Sequence, residues 1–394
     1  MEIASVEPYI VGVPEPYKGG INWVFVKVTT EDGTVGWGEG SLASSRPRTL
    51  ATAVEELADY AIGQDPFDVE SIRGDLYEGG HFFHVPGPIH NQVIAALDIA
   101  CWDIMGKATG QPVHKLLGGR VNDELRSYTY AHYEMPDEAT PADAADAAEH
   151  YVDMGFSAVK IDPIPPVVGP REVPKGELDY AEDVIAHVRE AVGEQVDICV
   201  GTHGQLHTQE AVRLGRRLEP HDPLWFEEPV SPEKVDEMAR VADKTSCPVA
   251  TGERLTTIHQ FADLIEAQAA QILQVNVGLI GLTAARKVAG LAQSHYLQVA
   301  PWMYCGPIHG AASIQLGAAI PNFLVQESIE NWTDSLHNEI LEDPLDWTDG
   351  YITPPDDPGL GFALDEDALA AHPMNDPQGE YGGIPRRPHD RFRP

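Results

Sequence analysis

The sequence predicts an α/β protein, a modified (β/α)7β barrel of the TIM type preceded by an α+β capping domain. Three observations support this prediction. The chain has 394 residues, which is too long for one ordinary core and suits a barrel with a second domain. Residues 3–40 alternate apolar and polar positions, and a helical pattern follows them. Beyond about residue 126, short β-rich segments recur with helix-like segments between most of them.

The amino-terminal part has the pattern of strands followed by helices. Residues 23–30 are typical of a strand, residues 31–34 (Glu-Asp-Gly-Thr) carry a turn signal, and residues 35–39 return as a second strand. After Arg48 the apolar residues recur with helical spacing, most clearly over residues 93–104. A meander followed by helices indicates an α+β capping domain, which we place at residues 1–125.

Eight short β-rich segments follow the capping domain. Alternating strands and helices imply parallel strands with right-handed crossovers. Eight such strands favour a closed barrel over an open doubly wound sheet. We place the barrel at residues 126–347 and expect residues 348–394 to return to the capping domain. The eight predicted strands are 127–131, 158–161, 196–200, 224–226, 249–251, 272–275, 297–300 and 323–325.

The charge balance excludes one class of partner and describes the surface. The chain has 62 acidic and 26 basic residues, with a formal net charge of −36. Because phosphate binding needs a basic patch, we expect no nucleic-acid partner. The acidic residues are spread along the chain, which predicts the self-repelling surface of a halophilic protein.

Other features of the composition bear on location. No apolar run of about 18 residues and no secretory signal pattern is visible, so we expect no membrane partner and a cytoplasmic location. The four cysteines are far apart and form no CxxC pair. We expect them to be small buried residues rather than zinc ligands or disulfides.

Two carboxylates stand at the ends of neighbouring predicted strands. Glu227 follows the segment 224–226 and Glu253 follows the segment 249–251, one strand–helix period apart. Active sites of β/α barrels gather at the carboxyl ends of the strands, so we expect the two side chains to lie side by side. Hard oxygen ligands at such a place favour Mg²⁺. For either Glu alone, a solvated strand-end acid is the alternative.

At these motifs the sequence resembles the mandelate racemase/muconate lactonizing branch of the enolase superfamily, especially its galactonate, gluconate and mannonate dehydratases. The resemblance implies one Mg²⁺ per subunit, held by carboxylates on the third, fourth and fifth barrel strands. It also implies that Mg²⁺ binds the substrate carboxylate and stabilises the enediolate formed when a base removes the α-proton. The stretches that carry the resemblance are 31–33, 36–39, 96–107, 112–119, 226–229, 252–254, 300–301 and 358–361.

The sequence departs from the family pattern at three strand ends. Gly201 stands where the family has its third acidic ligand. His203 is retained, and the resemblance makes it the acid that helps the leaving hydroxyl depart. Asn276 and Trp302 replace the Asp and His of the dehydratase base pair. Glu327, after the eighth strand, keeps an acid as relatives do.

The second barrel strand offers replacements. Lys160 and Asp162 are two positions apart and therefore face the same side of the strand. We expect Asp162 to supply the missing third carboxylate. We expect Lys160 to be the α-proton base, with its pKa lowered by burial and by the nearby cation. The alternative is a Lys–Asp pair that only braces the barrel mouth.

Further candidates lie around the barrel mouth. Tyr304 is a candidate proton donor in place of the missing His. The candidate substrate-binding residues are His81 and His84 in the capping domain, together with Asn276, Trp302 and Glu327.

The leading hypothesis is a hydro-lyase, a Mg²⁺-dependent sugar-acid dehydratase. It would convert an aldonate into a 2-keto-3-deoxy acid by α-proton abstraction, enediolate stabilisation and β-elimination. His203 favours this reading, because elimination needs an acid on the leaving group. Two alternatives remain: a racemase, epimerase or cycloisomerase, and a catalytically silent relative that binds a metabolite. The expected partners are a small carboxylate substrate and copies of the same chain, in a dimer to an octamer.

Overall fold

The structure, a computed structural model, describes residues 1–41, 46–79, 87–131, 139–164, 172–328, 335–342 and 344–375. His81 and His84 lie outside the described residues.

The capping domain pairs three antiparallel strands with four helices. The central strand β2 pairs with both of its neighbours, as the alternating pattern and the turn at residues 31–34 predict. The long third helix is buried along most of its length and packs against β3. The elements are β1 (Ile3–Gly12), β2 (Asn22–Thr30), β3 (Val35–Gly40), α1 (Pro47–Leu57), α2 (Val69–Glu78), α3 (Pro88–Thr109) and α4 (Val113–Leu116).

Eight parallel strands form the barrel, and their order in the sheet follows the chain. The barrel closes because the last strand pairs with the first and Phe323 bridges Val299. The strands are β4 (Leu125–Tyr130), β5 (Ala158–Ile161), β6 (Asp197–Gly201), β7 (Trp225–Glu227), β8 (Val249–Thr251), β9 (Ile272–Leu273), β10 (Gln298–Val299) and β11 (Gln326–Glu327).

A helix follows each of the first seven barrel strands, so the architecture is the predicted (β/α)7β barrel. The helices are α5 (Pro141–Asp153), α6 (Lys175–Val192), α7 (Thr208–Leu218), α8 (Val235–Lys244), α9 (Ile258–Glu266), α10 (Val277–Ser294) and α11 (Pro307–Ala319).

The eighth strand lies later than predicted. The apolar segment 323–325 makes only the bridge from Phe323, whereas the ladder to β4 is formed by Gln326 and Glu327. A search for β-branched residues misses it because these two residues are polar. Both are nevertheless buried, and Glu327 faces the interior of the barrel mouth.

The carboxy-terminal segment contacts both domains. Its elements are α12 (Leu336–Glu339), β12 (Asp346–Thr348), β13 (Tyr351–Thr353) and α13 (Glu366–Ala371). Strand β13 pairs antiparallel with β4, the first strand of the barrel. The chain then reaches the capping domain, where Gly12 donates its N–H to the carbonyl of His372 over 3.0 Å.

Two buried carboxylates of the capping domain complete helix ends of the barrel. Glu39 accepts hydrogen bonds from the N–H groups of Gly306 (2.6 Å) and His309 (2.9 Å) at the start of α11. Asp98 accepts one from the N–H of Thr283 over 3.0 Å, where α10 is broken at Gly281 (φ 78°). Burial raises the pKa of both carboxyl groups, that of Glu39 to about 8. The first N–H groups of a helix lack hydrogen-bond acceptors within the helix. Here carboxylates of the capping domain are the acceptors.

All four cysteines are free and buried, as their spacing predicts. In the described part of the chain, no helix is long and apolar enough to cross a membrane.

The acidic composition leads to a testable expectation about salt. With 62 acidic and 26 basic residues, self-repulsion at low ionic strength should be large against a typical stability of about 5–15 kcal/mol. The screening length falls from about 10 Å at 0.1 M to about 3 Å at 1 M salt. We therefore expect the melting temperature to rise by several degrees between these concentrations, equally in NaCl and KCl. A flat melting temperature in calorimetry would contradict the halophilic assignment.

Candidate active site

The interior of the barrel is built in layers, and the candidate site is one of them. The apolar layer takes one residue from each of the eight strand regions. Because side chains alternate along a strand, the residue two positions later points inward again, closer to the carboxyl end. The first layer is Tyr128, Ala158, Cys199, Trp225, Ala250, Ile272, Ala300 and Val325. The next layer includes Tyr130, Lys160, Gly201, Glu227, Gln274, Trp302 and Glu327.

Lys160 lies at the centre of this second layer. Its Nζ is 2.5 Å from Oε1 of Glu227 and 3.7 Å from Oε1 of Glu327, and all three side chains are buried. The other oxygen of Glu227 accepts hydrogen bonds from Trp225 Nε1 (3.0 Å) and Gln274 Nε2 (2.7 Å). Burial alone would lower the pKa of Lys160, but the carboxylates of Glu227 and Glu327 raise it well above its usual value. The two carboxylates therefore raise the pKa of Lys160, whereas the sequence predicted a lowered pKa.

Two further buried carboxyl groups near Lys160 and Glu227 have raised pKa values. Burial and the neighbouring Glu227 raise the pKa of Glu253 to about 7. Burial also raises the pKa of Glu327 to about 7, although Lys160 opposes the shift. Glu253 Oε1 is 2.9 Å from Nη1 of Arg254. Its Oε2 is buried and has no hydrogen-bond partner among the described residues. Such a cluster favours a bound cation, which would stabilise the ionised carboxylates.

Asp162 fills the space that a side chain on β6 would occupy. A Cβ placed on Gly201 would lie 2.2 Å from Asp162 Oδ1 and 3.1 Å from Lys160 Cε. Real Cβ atoms do not approach other atoms as closely as 2.2 Å, so the present position of Asp162 requires glycine at position 201. The carboxylate of Asp162 therefore stands beside the end of β6, where the resemblance expects a ligand.

Two neighbours hold the other oxygen of Asp162. The hydroxyl of Tyr130 donates a hydrogen bond to Oδ2. Nδ1 of His203 lies 3.1 Å from the same oxygen. Oδ1 is buried and has no hydrogen-bond partner among the described residues. The carboxylate of Asp162 raises the pKa of His203, and His203 and Lys160 lower the pKa of Asp162 although burial opposes the shift.

The backbone is strained directly after two of these strands. His203 and Glu228 have φ values of 49° and 39°, a region that residues with a side chain seldom adopt. Such conformations persist where the surrounding structure holds them, often at functional sites. Glu228 is fully buried and forms an ion pair with Arg254.

The remaining predicted residues have different surroundings. Asn276 is fully buried. Its Oδ1 accepts a hydrogen bond from Ser41 (2.9 Å), and its Nδ2 donates to the carbonyl of Glu253 (3.2 Å). The amide is thus bonded at both ends and ties the capping domain to the barrel, and its contact with substrate stays a prediction. Trp302 and Tyr304 have ring centroids 6.5 Å apart and line a cavity between the two domains.

Four residues of the site were missed by the sequence analysis: Tyr130, Gln274, Glu228 and Arg254. The period of two along a strand would have found Tyr130 and Gln274, which follow the interior residues Tyr128 and Ile272. For Glu228 and Arg254 the signal was weaker. Glu228 stands outside that alternation, Arg254 lies beyond the end of β8, and the turns after β7 and β8 bring the two together.

The carboxylate oxygens of the site are chemically suited to bind a hard divalent cation. Asp162 Oδ1 and Glu253 Oε2 are buried carboxylate oxygens without hydrogen-bond partners among the described residues, and carboxylate oxygens are the ligands that Mg²⁺ prefers. Glu227 is held by Lys160, Trp225 and Gln274. Within the described ranges, no three His, Cys, Asp or Glu side chains already surround one point. A bound cation would therefore have to draw these carboxylates together.

Comparison with known proteins agrees with the predicted family. Residues 18–118 match the family model "Mandelate racemase / muconate lactonizing enzyme, N-terminal domain", and residues 143–368 match "Enolase C-terminal domain-like". A candidate mandelate racemase/muconate lactonizing enzyme from Burkholderia SAR-1 has a solved structure that superimposes with a TM-score of 0.92. It is 44% identical and covers 96% of this chain and 95% of its own.

Two curated relatives have a named activity. The D-galactonate dehydratase of Ralstonia nicotianae is 36% identical over 87% of this chain and 89% of its own. The D-galactonate dehydratase of Pectobacterium atrosepticum is 33% identical over 90% of this chain and 92% of its own. Both agree with the predicted enzyme class, a hydro-lyase of the dehydratase type. The chain belongs to the mandelate racemase/muconate lactonizing enzyme branch of the enolase superfamily.

Proposed function

We propose that the protein is a Mg²⁺-dependent dehydratase that converts an aldonate into a 2-keto-3-deoxy acid. The observation that carries the proposal is the single polar layer in which Lys160, Glu227 and Glu253 adjoin the Asp162–His203 pair. The two D-galactonate dehydratases that resemble the chain support the reaction class. Glu227, Glu253 and Asp162 would hold the metal. When bound, Mg²⁺ supplies positive charge for the substrate carboxylate and for the charge that develops on it as the α-proton leaves.

Lys160 is the proposed base. Only the free amine accepts a proton, and Glu227 and Glu327 favour the ammonium form. The proposal therefore requires that a cation bound at the site lowers the pKa of Lys160 before the substrate reacts. Once Lys160 has taken the α-proton, Glu227 at 2.5 Å and Glu327 at 3.7 Å stabilise the ammonium form. The two carboxylates therefore favour the proton-transfer product.

His203 is the proposed acid. Its Nδ1 contacts Asp162, so Nε2 is the nitrogen that would donate a proton to the leaving hydroxyl. The carboxylate of Asp162 favours the imidazolium form, which is the form that donates. Asp162 would thus serve both the metal and the acid.

A substrate screen distinguishes the proposed reaction from its alternatives. A sugar-acid library is incubated with the protein, Mg²⁺ and molar salt, and 2-keto products are detected with semicarbazide. A dehydratase gives a 2-keto product. A racemase, epimerase or cycloisomerase exchanges the α-proton with deuterium without such a product, and a silent binding protein gives only a thermal shift.

The close packing of Asp162 against Gly201 leads to a separate prediction. Gly201→Ala should displace Asp162 Oδ1, because the new Cβ would lie 2.2 Å from it. We expect the Mn²⁺ affinity, measured by electron paramagnetic resonance, to fall about 10- to 100-fold. Gly74→Ala is the matched control, since a Cβ on Gly74 meets nothing within 4 Å.

The double variant Asp162→Gly/Gly201→Asp tests the same point in reverse. It returns the carboxylate to β6 and should bind Mn²⁺ more tightly than Asp162→Gly alone. Unchanged Mn²⁺ affinity in both Gly201→Ala and Asp162→Gly would remove Asp162 from the metal site.

A further inference from the structure

Two tyrosines on the first barrel strand point into the barrel at successive layers. Tyr128 lies in the apolar layer, where its ring meets that of Trp225 edge to face with centroids 5.2 Å apart. Tyr130 is two residues later and therefore points inward again, in the polar layer. In the parallel ladder of β4 and β5, Tyr130 is the partner of Lys160. The strand thus places a half-buried tyrosine hydroxyl beside the proposed base.

Tyr130 connects the surroundings of the proposed base with those of the proposed acid. Its ring centroid is 5.6 Å from Nζ of Lys160, a distance at which the face of an aromatic ring attracts a cation. Its hydroxyl donates a hydrogen bond to Oδ2 of Asp162. The same oxygen lies 3.1 Å from Nδ1 of His203. The ring therefore belongs to the surroundings of Lys160, and the hydroxyl to those of His203.

The hydroxyl distinguishes the two oxygens of Asp162. An ionised carboxylate only accepts hydrogen bonds, and its last side-chain torsion has broad minima, so the group turns easily unless a neighbour holds it. Here Tyr130 holds Oδ2 on the side of His203. Oδ1 is buried without a hydrogen-bond partner among the described residues and lies beside Gly201. The tyrosine hydroxyl thus fixes which oxygen remains available to a cation.

We propose that Tyr130 is a positioning residue for the dehydration: its hydroxyl holds Asp162 so that Oδ2 orients His203 while Oδ1 is left for the metal. The inference rests on the proposed dehydratase function and adds to it a residue of the first barrel strand.

The two steps of the reaction depend on this hydroxyl to different extents. The elimination needs His203 in place, because its proton leaves with the β-hydroxyl as water when the C–O bond breaks. Removal of the α-proton needs Lys160, whose carboxylate partners lie on β7 and β11. Loss of the hydroxyl should therefore impair the elimination more than the removal of the α-proton.

Tyr130→Phe keeps the ring beside Lys160 and removes only the hydroxyl. Two rates are measured with D-galactonate at saturating Mg²⁺ in molar salt: exchange of the α-proton with D₂O by nuclear magnetic resonance, and formation of the 2-keto product. We expect product formation to fall about 10- to 100-fold, the range typical of a lost partner of a metal ligand, and exchange to fall by less than about threefold. The ratio of exchange to product should therefore rise, whereas a merely structural role would lower both rates together.

Binding of Mn²⁺ tests the orientation of Asp162 without turnover. A carboxylate that is no longer held should bind the cation less well, so we expect the Mn²⁺ affinity of Tyr130→Phe, measured by electron paramagnetic resonance, to fall about 10-fold. Tyr180→Phe is the matched control. It removes a hydroxyl on α6, outside the polar layer, that donates to the carbonyl of Ala139 over 2.8 Å. The control should change neither the Mn²⁺ affinity nor the ratio of the two rates.

The outcomes separate failure of this inference from failure of the proposed function. If the wild type dehydrates D-galactonate, unchanged Mn²⁺ affinity or an unchanged ratio of rates in Tyr130→Phe overturns the role of Tyr130 while the function stands. Equal losses in both variants would assign the effect to general destabilisation and also overturn it. If D-galactonate is neither exchanged nor dehydrated but the Mn²⁺ affinity falls only in Tyr130→Phe, the orientation of Asp162 stands and the proposed function falls for this acid. If the wild type binds no Mn²⁺, both are wrong.

Discussion

Replacing Glu253 by Gln is expected to lower Mg²⁺-dependent activity by about 10³-fold while leaving the fold intact. Removing one charge-stabilising group from an active site typically costs about 10²- to 10³-fold in rate, and here the group is also a proposed metal ligand. In the described part of the structure, Glu253 forms an ion pair only with the partly exposed Arg254, through Oε1. Its Oε2 has no hydrogen-bond partner there. The change therefore removes little that supports the native state. Steady-state rates with Mg²⁺ and with excess chelator measure the effect.

Glu227→Gln should lower the activity to the same extent, but unlike Glu253→Gln it should also lower the free energy of unfolding. Its carboxylate is bonded to the buried Lys160, and breaking one side of a buried ion pair typically costs about 3–5 kcal/mol. Glu266→Gln, an exposed change on α9, is the control for both variants. Full activity in Glu253→Gln, or in the presence of excess chelator, would remove the metal from the proposed mechanism.

Lys160→Arg is expected to abolish exchange of the substrate α-proton with deuterium, by about 10²- to 10⁴-fold, the range typical of a lost general base. Arg keeps the positive charge between Glu227 and Glu327 but does not deprotonate in proteins. The variant therefore separates the role of Lys160 as a base from its role as a counter-ion. Nuclear magnetic resonance of the α-proton in D₂O measures the exchange.

Lys160→Ala completes the comparison. It removes both roles, so we expect the same loss of exchange and a lower melting temperature than in Lys160→Arg. Lys287→Ala, which removes an exposed partner of Glu70, should change neither the exchange nor the chemistry. Normal exchange in Lys160→Arg would show that another group is the base.

Much of the fold could be predicted from periodicity. The β-rich segments at 158–161 and 249–251 became strands with the same bounds. The motifs that carry the resemblance also led to the correct family. The eighth strand was misplaced because its ladder uses Gln326 and Glu327, and polar residues in a barrel mouth do not show the apolar pattern that identifies a strand.

The surroundings of the site residues were harder to predict than the residues themselves. The pKa of Lys160 depends on two carboxylates from β7 and β11 that reach it at once, and a sequence gives no distance between strands. The hydrogen-bond partners of Asn276 could not be predicted for a similar reason. Its partner Ser41 comes from the other domain, and only the docking of the two domains brings them together.

The carboxylates of Glu39 and Asp98 bear on how such chains evolve. Each completes the hydrogen bonding of a helix in the barrel although it belongs to the capping domain, so neither domain is chemically self-sufficient. A recombination event that exchanged capping domains between relatives would succeed only if the incoming domain carried acids at both positions. The two parts are therefore inherited as one cooperative unit, and new specificity is expected to arise by substitution along their seam rather than by shuffling whole domains.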